Sequence, residues 1–155
     1  YPSYGYWIGL GATTLWEDWP GERSRNHIMF GEIDAWFYKY LAGINPDPEV
    51  PGFGKIVIRP LPLGDLIWVN AEHNSGYGTI KSSWRLENGI FTLDVTIPPN
   101  TTAEIHVPTD SANDITESGK PAKSAKSVTF VGEQSGSAIF TVGSGLYSFK
   151  SGFAK

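Results

Sequence analysis

Apolar and polar residues alternate with two different rhythms along this chain, and the change falls near residue 45. Up to that point the pattern is helical and unusually aromatic. Ser3 can cap a short helix running from Tyr4 to about Ala12. A second helix is expected from about Asn26 to Ala42, with Ser24 or Asn26 at its start and Gly43 at the position that follows a helix end. Its apolar residues, among them Ile28, Met29, Phe30, Ile33, Trp36, Phe37, Tyr38, Tyr40 and Leu41, cover nearly the whole circumference. A helix that is apolar all round is buried on all sides. Two helices cannot bury each other that completely, so this segment calls for more protein around it than the chain supplies.

Beyond residue 54 the period becomes two. The clearest unit is a hairpin centred on Asn88-Gly89, a pair that strongly favours a type I′ turn. With those residues as the loop, Glu87 pairs with Ile90, Leu86 with Phe91, Trp84 with Leu93, Ser82 with Val95 and Ile80 with Ile97. The apolar residues of both strands then share one face, and a slip of one residue would destroy the match. Further strands are expected at 55–59, 66–73, 102–107, 127–131, 138–142 and 146–150, with Ala103, Ile105 and Val107 pointing inward. Turn signals separate them at short intervals, the signature of an antiparallel sandwich. Residues 118–126 are poor in apolar side chains and read as an exposed loop. Between the two rhythms lies Asn45-Pro46-Asp47-Pro48-Glu49-Val50-Pro51-Gly52, whose prolines exclude a helix or a central strand and suggest a linker.

Composition narrows the picture. At 155 residues the chain is expected to form one domain, or one domain with an appendage. The net charge of −4 argues against a nucleic-acid partner. Without cysteine there is no disulfide framework, thiolate metal site or cysteine nucleophile. No apolar run approaches the length of a membrane span, so no membrane partner is expected. The first residue is Tyr1 rather than Met, which suggests a piece of a longer protein or a processed one.

The candidate chemistry lies in the loop between the two helices. Glu17, Asp18 and Glu22 stand within six residues of one another, beside Trp16 and Trp19. Carboxylates that move protons next to indole faces that pack on sugar rings are the equipment of a sugar-cleaving site. The same residues also fit a solvated acidic loop over two core tryptophans. His27 follows the loop and can exchange a hydrogen bond with a ligand hydroxyl or be satisfied by the backbone. Arg23 and Arg25 can hold the acidic loop through charge-assisted bonds. The histidines 27, 73 and 106 are too scattered for a metal site, and no cofactor is implied. Trp68, Trp84, Phe91 and Phe140 can form a sugar platform or a core, and the hairpin pattern places Trp84 and Phe91 in the core. Asn100-Thr101-Thr102 matches a glycosylation sequon but reads as a turn after Pro98-Pro99.

Several segments together resemble the end of bacterial α-L-rhamnosidases, glycoside hydrolase family 78. They are Tyr4-Gly5-Tyr6-Trp7-Ile8, the run Gly11-Ala12-Thr13-Thr14-Leu15-Trp16-Glu17, Asn26-His27, Tyr40-Leu41-Ala42-Gly43-Ile44, Pro51-Gly52-Phe53, Ile56-Val57-Ile58-Arg59-Pro60, Ser75-Gly76-Tyr77-Gly78, and the run from Ile97 to Ala103. The resemblance is good over roughly residues 1–108 and looser beyond. It implies a fold that is mainly β with an N-terminal helical segment: residues 1–45 as the last helices of an (α/α)6-barrel catalytic domain of six-hairpin type, 46–53 as a linker, and 54–155 as a C-terminal antiparallel β-sandwich. It implies release of terminal α-L-rhamnose from a rhamnose-containing oligosaccharide or glycoside by an inverting mechanism. Glu17 takes the place of the general base and His27 that of a rhamnose contact, although the loop between Trp19 and Asn26 is shorter than in many relatives. The general acid matches nothing in these residues and is expected in the upstream barrel, so the isolated chain is expected to be inactive. Compartment is left open by the residues; the resemblance favours a periplasmic or extracellular enzyme over a cytoplasmic one.

Two other readings compete. A non-catalytic carbohydrate-binding sandwich predicts Trp68 or Tyr77 exposed on a sheet face. A purely structural sandwich predicts buried aromatics there. Either way, an uncovered face carrying Ile28, Phe30, Trp36 and Phe37 would form an apolar patch through which the chain self-associates.

Overall fold

The computed structural model describes residues 3–154, which divide into two compact units, one up to Phe37 and one from Tyr38 onward. In the first, helix α1 spans Tyr4–Gly9. Ser3 is its N-cap, but through its carbonyl, which accepts the Tyr6 N–H at 2.9 Å, and not through its hydroxyl. The helix stops short of Ala12 because the glycines at 9 and 11 weaken it, and Gly11 takes φ +81°.

The expected long helix from Asn26 to Ala42 is not one α-helix. A 3₁₀ turn covers Ile28–Gly31, five α-helical residues follow at Glu32–Trp36 (α2), and a π turn covers Phe37–Leu41. No side chain caps the start at His27. Gly31 and the β-branched and aromatic residues lower the intrinsic preference for a regular helix. Ile28 is 80% exposed and Met29 66%; Phe30, Ile33, Phe37 and Tyr38 are also exposed, while Trp36 is half-buried. The all-round burial expected from the pattern is therefore not reached within the described residues.

Among the described residues the second unit holds eleven strands: β1 (Ile44–Pro46), β2 (Lys55–Ile58), β3 (Trp68–Ser75), β4 (Gly78–Glu87), β5 (Ile90–Ile97), β6 (Thr102–Pro108), β7 (Thr116–Glu117), β8 (Lys120–Pro121), β9 (Val128–Gln134), β10 (Ser137–Val142) and β11 (Gly145–Gly152). One sheet has the order β1-β2-β6-β10-β9, the other β3-β4-β5-β11-β7-β8. Every pairing is antiparallel except β2 with β6, which is parallel. The 88–89 hairpin has the expected register from Glu87–Ile90 to Ser82–Val95. Its two turn residues have φ +51° and +75°, the signs a type I′ turn requires. The ladder ends at Lys81–Thr96, one step before Ile80 and Ile97, and both isoleucines are buried.

The inner faces of the two sheets form one core. Ile56, Ile58, Ala103, Ile105, Val107 and Phe140 come from one sheet, and Ile80, Trp84, Phe91, Leu93, Val95 and Phe149 from the other. Phe140 and Phe149 stack between the sheets with ring centroids 5.4 Å apart. Trp84 donates its indole N–H to the Leu41 carbonyl at 2.7 Å, so its polar atom is satisfied inside the core. Residues 118–126 depart from the expected exposed loop: β8 closes a tight hairpin on β7, a 3₁₀ turn covers Ala122–Ser124, and Ala122 and Ala125 are buried. The prolines after Ile44 do not prevent β1 from pairing as an edge strand on β2, the place where a missing N–H is tolerated. Gly43 follows the π turn with φ +76°, and a Cβ there would lie 2.1 Å from the Arg59 carbonyl carbon. Pro99 and Asn100 form a turn before β6, with Asn100 at φ +61° and the Thr101 hydroxyl donating to the Pro98 carbonyl at 2.7 Å. Among the described residues no helix is long and apolar enough to cross a membrane.

Candidate functional site

The acidic loop is built on indoles. Trp7 is buried and donates its Nε1–H to the carbonyls of Asp18 and Trp19, both at 3.2 Å. Its ring packs 4.7 Å from Trp19, 6.3 Å from Trp16 and 6.2 Å from Phe30. Trp16 is buried as well, with the Arg25 guanidinium 4.8 Å over its ring. Gly21, at φ +70°, lies so close that a Cβ would fall 2.4 Å from the Trp16 ring. Only glycine lets the loop turn across that indole.

The two arms of the loop are tied together rung by rung. His27 N–H donates to the Leu15 carbonyl at 2.7 Å, the Thr14 hydroxyl donates to the Arg25 carbonyl, and Glu17 N–H donates to the Ser24 carbonyl at 2.8 Å. Glu17 and His27 therefore stand on facing arms of one cross-linked loop. The Glu17 carboxylate is one-third exposed and accepts the Ser24 N–H at 3.3 Å through Oε2. Arg23 approaches its other oxygen at 3.8 Å but is itself largely in water, so that ion pair is weak. Asp18 accepts the Arg23 N–H at 3.3 Å, and Arg25 donates to the Gly21 carbonyl at 2.9 Å. The arginines thus brace the loop mostly through its backbone and through Trp16. Glu22 is exposed. The His27 ring is half-buried, 5.8 Å from Phe30. Chemically, the loop offers a carboxylate with one oxygen fixed and access to water, beside an aromatic floor.

The second unit has two other polar sites. His106, 3% exposed, has its Nε2 2.6 Å from Glu104 Oε1 and 3.2 Å from Arg59 Nη2. Burial holds its pKa below the usual histidine value despite the carboxylate. His106 and Arg59 border a recess of about 560 Å³. The other is a shallow depression of about 160 Å³ on the outer face of β3-β4-β5, where Trp68 is 52% exposed. Trp84, Phe91 and Phe140 are core residues. Sequence reasoning named Trp68 but not its polar neighbours Asn70, Ser83 and Asp94, which have the appearance of an ordinary solvated strand face. Among the described residues no group of three His, Asp or Glu side chains is placed to hold a metal.

Two family models match the chain. Residues 1–41 match the bacterial α-L-rhamnosidase 6 hairpin glycosidase domain, and residues 43–122 match the bacterial α-L-rhamnosidase C-terminal domain. The chain belongs to the bacterial α-L-rhamnosidase family. An α-L-rhamnosidase of Streptomyces avermitilis is 35% identical over 160 residues, covering 96% of this chain and 15% of that protein. One from Formosa agariphila is 32% identical, covering 99% of this chain and 18% of that protein. The crystal structure of the Streptomyces avermitilis α-L-rhamnosidase complexed with L-rhamnose superposes with a TM-score of 0.77 at 34% identity, over 97% of this chain and 15% of that one. The α-L-rhamnosidase from Dictyoglumus thermophilum gives 0.75 at 36%, over 97% of this chain and 17% of that one. The chain thus spans less than a fifth of the length of these relatives.

Proposed function

We propose that these residues supply the general base and part of the sugar pocket of an inverting α-L-rhamnosidase, with Glu17 as the base and His27 as a rhamnose contact. The observation that carries this reading is the Glu17 loop: a half-open carboxylate, fixed by backbone bonds on a tryptophan floor, within the segment that matches a glycosidase domain. Glu17 takes a proton from the water that attacks the anomeric carbon. The general acid comes from the part of the six-hairpin domain outside these 155 residues. Inversion needs the two carboxyl groups roughly 6.5–9.5 Å apart, so that water fits between them. The sandwich, on this reading, has no part in bond cleavage.

The test uses the whole enzyme that carries this chain. Glu17→Gln lowers kcat on an aryl α-L-rhamnoside by about 10²- to 10⁴-fold, the range for losing a general base. His27→Ala acts mainly on KM. NMR during turnover shows β-L-rhamnose as the first-formed anomer. The 155-residue chain alone releases no rhamnose. A Glu17→Gln enzyme with unchanged kcat would remove Glu17 from the mechanism, and an α-anomer formed first would remove inversion.

A further inference from the structure

We propose that the outer face of β3-β4-β5 is a second carbohydrate-binding site, one that takes a single pyranose ring bearing a vicinal diol and acts independently of Glu17.

The argument begins with register. Trp68 on β3 pairs with Arg85 on β4, and Arg85 with Thr92 on β5. Two residues along each strand, Asn70 pairs with Ser83 and Ser83 with Asp94. Side chains two apart on a strand share a face, so these six form two parallel rows on one side of the sheet. Their neighbours Trp84 and Leu93 point the other way, into the core. The rows line the 160 Å³ depression.

The chemistry of the rows suits a sugar. The second unit has two tryptophans: Trp84 is 1% exposed, Trp68 52%. An indole left half in water on a rigid sheet offers a flat apolar surface to the C–H face of a pyranose. The same depression is lined by Asp94, an exposed carboxylate with no hydrogen-bond or ion-pair partner among the described residues. Arg85 does not neutralise it, because its guanidinium is 2.7 Å from Glu87. A free carboxylate accepts two adjacent hydroxyls through charge-assisted bonds. The Ser83 hydroxyl donates to Asn70 Oδ1, which leaves the Asn70 amide N–H groups to donate to a ring hydroxyl. Apolar face, acceptor and donor thus line one depression.

The depression is too shallow to enclose a ligand as a deep pocket does. Binding is accordingly weak for one sugar. Its use lies in a branched or polymeric substrate, where a second weak contact raises the effective concentration of the chain at the enzyme.

The experiment is an amide-resolved NMR titration of the 155-residue chain with methyl α-L-rhamnoside and, separately, methyl β-D-glucoside. Expected are saturable shifts of the Trp68 indole N–H and of the Asn70, Ser83 and Asp94 amides with at least one of the two sugars. Trp68→Ala and Asp94→Asn each weaken binding about tenfold or more, and Glu17→Gln leaves it unchanged. Both substituted residues are exposed, so the folded spectrum is retained. No saturable shift in these residues with either sugar overturns the proposal. So do shifts that persist in Trp68→Ala. Shifts confined to residues 13–27 overturn it too, and support the Glu17 pocket instead.

Discussion

The two units use aromatic residues for opposite purposes. The first holds four of the six tryptophans within 37 residues, yet its helical turns are short and irregular, and Ile8, Ile28 and Met29 are mostly in water. Its indoles floor a loop that carries carboxylates. The second unit drives Trp84, Phe91, Phe140 and Phe149 below 2% exposure between two ladders of backbone bonds. Aromatic content alone therefore does not make a core. The ladder does, because it satisfies the backbone on both sides of the apolar layer. In the first unit a few cross-loop bonds fix the chemistry locally, and much of the apolar surface finds no cover among the described residues.

The contrast can be broken most forcefully at Trp84. Trp84→Ala removes a buried indole and its bond to the Leu41 carbonyl, and costs about 3–5 kcal/mol. Trp68→Ala, on the outer face, costs much less. Urea unfolding followed by circular dichroism reads both as shifts in midpoint at constant slope. Equal costs would mean that the sandwich does not depend on its sealed core.

Next in size is Gly43→Ala, where a turn rather than a core is at stake. The positive φ alone costs about 1–2 kcal/mol for a residue with a Cβ. The approach to the Arg59 backbone adds to that, because neither chain can yield without breaking the bond from Arg59 N–H to the Gly43 carbonyl at 2.9 Å. A midpoint unchanged from the parent would show that this crossing relaxes freely.

How much of this was legible depended on the range of the forces involved. The 88–89 hairpin was readable to the residue, since its turn type and apolar face are both local. Six further strand positions were also readable, but the short strands β1, β7 and β8 were not. The parallel pairing of β2 with β6 was not readable, because it joins segments more than 40 residues apart with no turn between them to fix register. Ala122 and Ala125 were missed because two small side chains leave no hydrophobic signature, although they anchor the 118–126 segment. The breakup of the 26–42 helix was missed because apolar periodicity says nothing of what covers the apolar side. At the candidate site, the Trp-Glu juxtaposition was visible in the sequence. The bonds linking Leu15 to His27 and Glu17 to Ser24 were not, for they arise from loop closure.

The smallest expected effect separates the two units by pH. His106 lies in the sandwich with its pKa held below the ordinary 6.5, first by burial and then by the Arg59 charge, which together outweigh the pull of Glu104. The unfolded chain therefore binds a proton there before the folded one does. Stability from this residue is complete above 6.5 and falls as pH drops through 6.5 toward the lower native value. Asp47 contributes in a separate window. Its hydrogen bond and 2.7 Å ion pair with Lys55 lower its pKa below 3.8, so its contribution persists above that value and is lost only as pH falls past it. The first window belongs to His106 and vanishes in His106→Gln, whereas the second survives that substitution and disappears in Asp47→Asn. Thermal scans across this range should show the loss in the sandwich transition. A decline on lowering pH below 6.5 that persisted in His106→Gln would place the responsible group elsewhere.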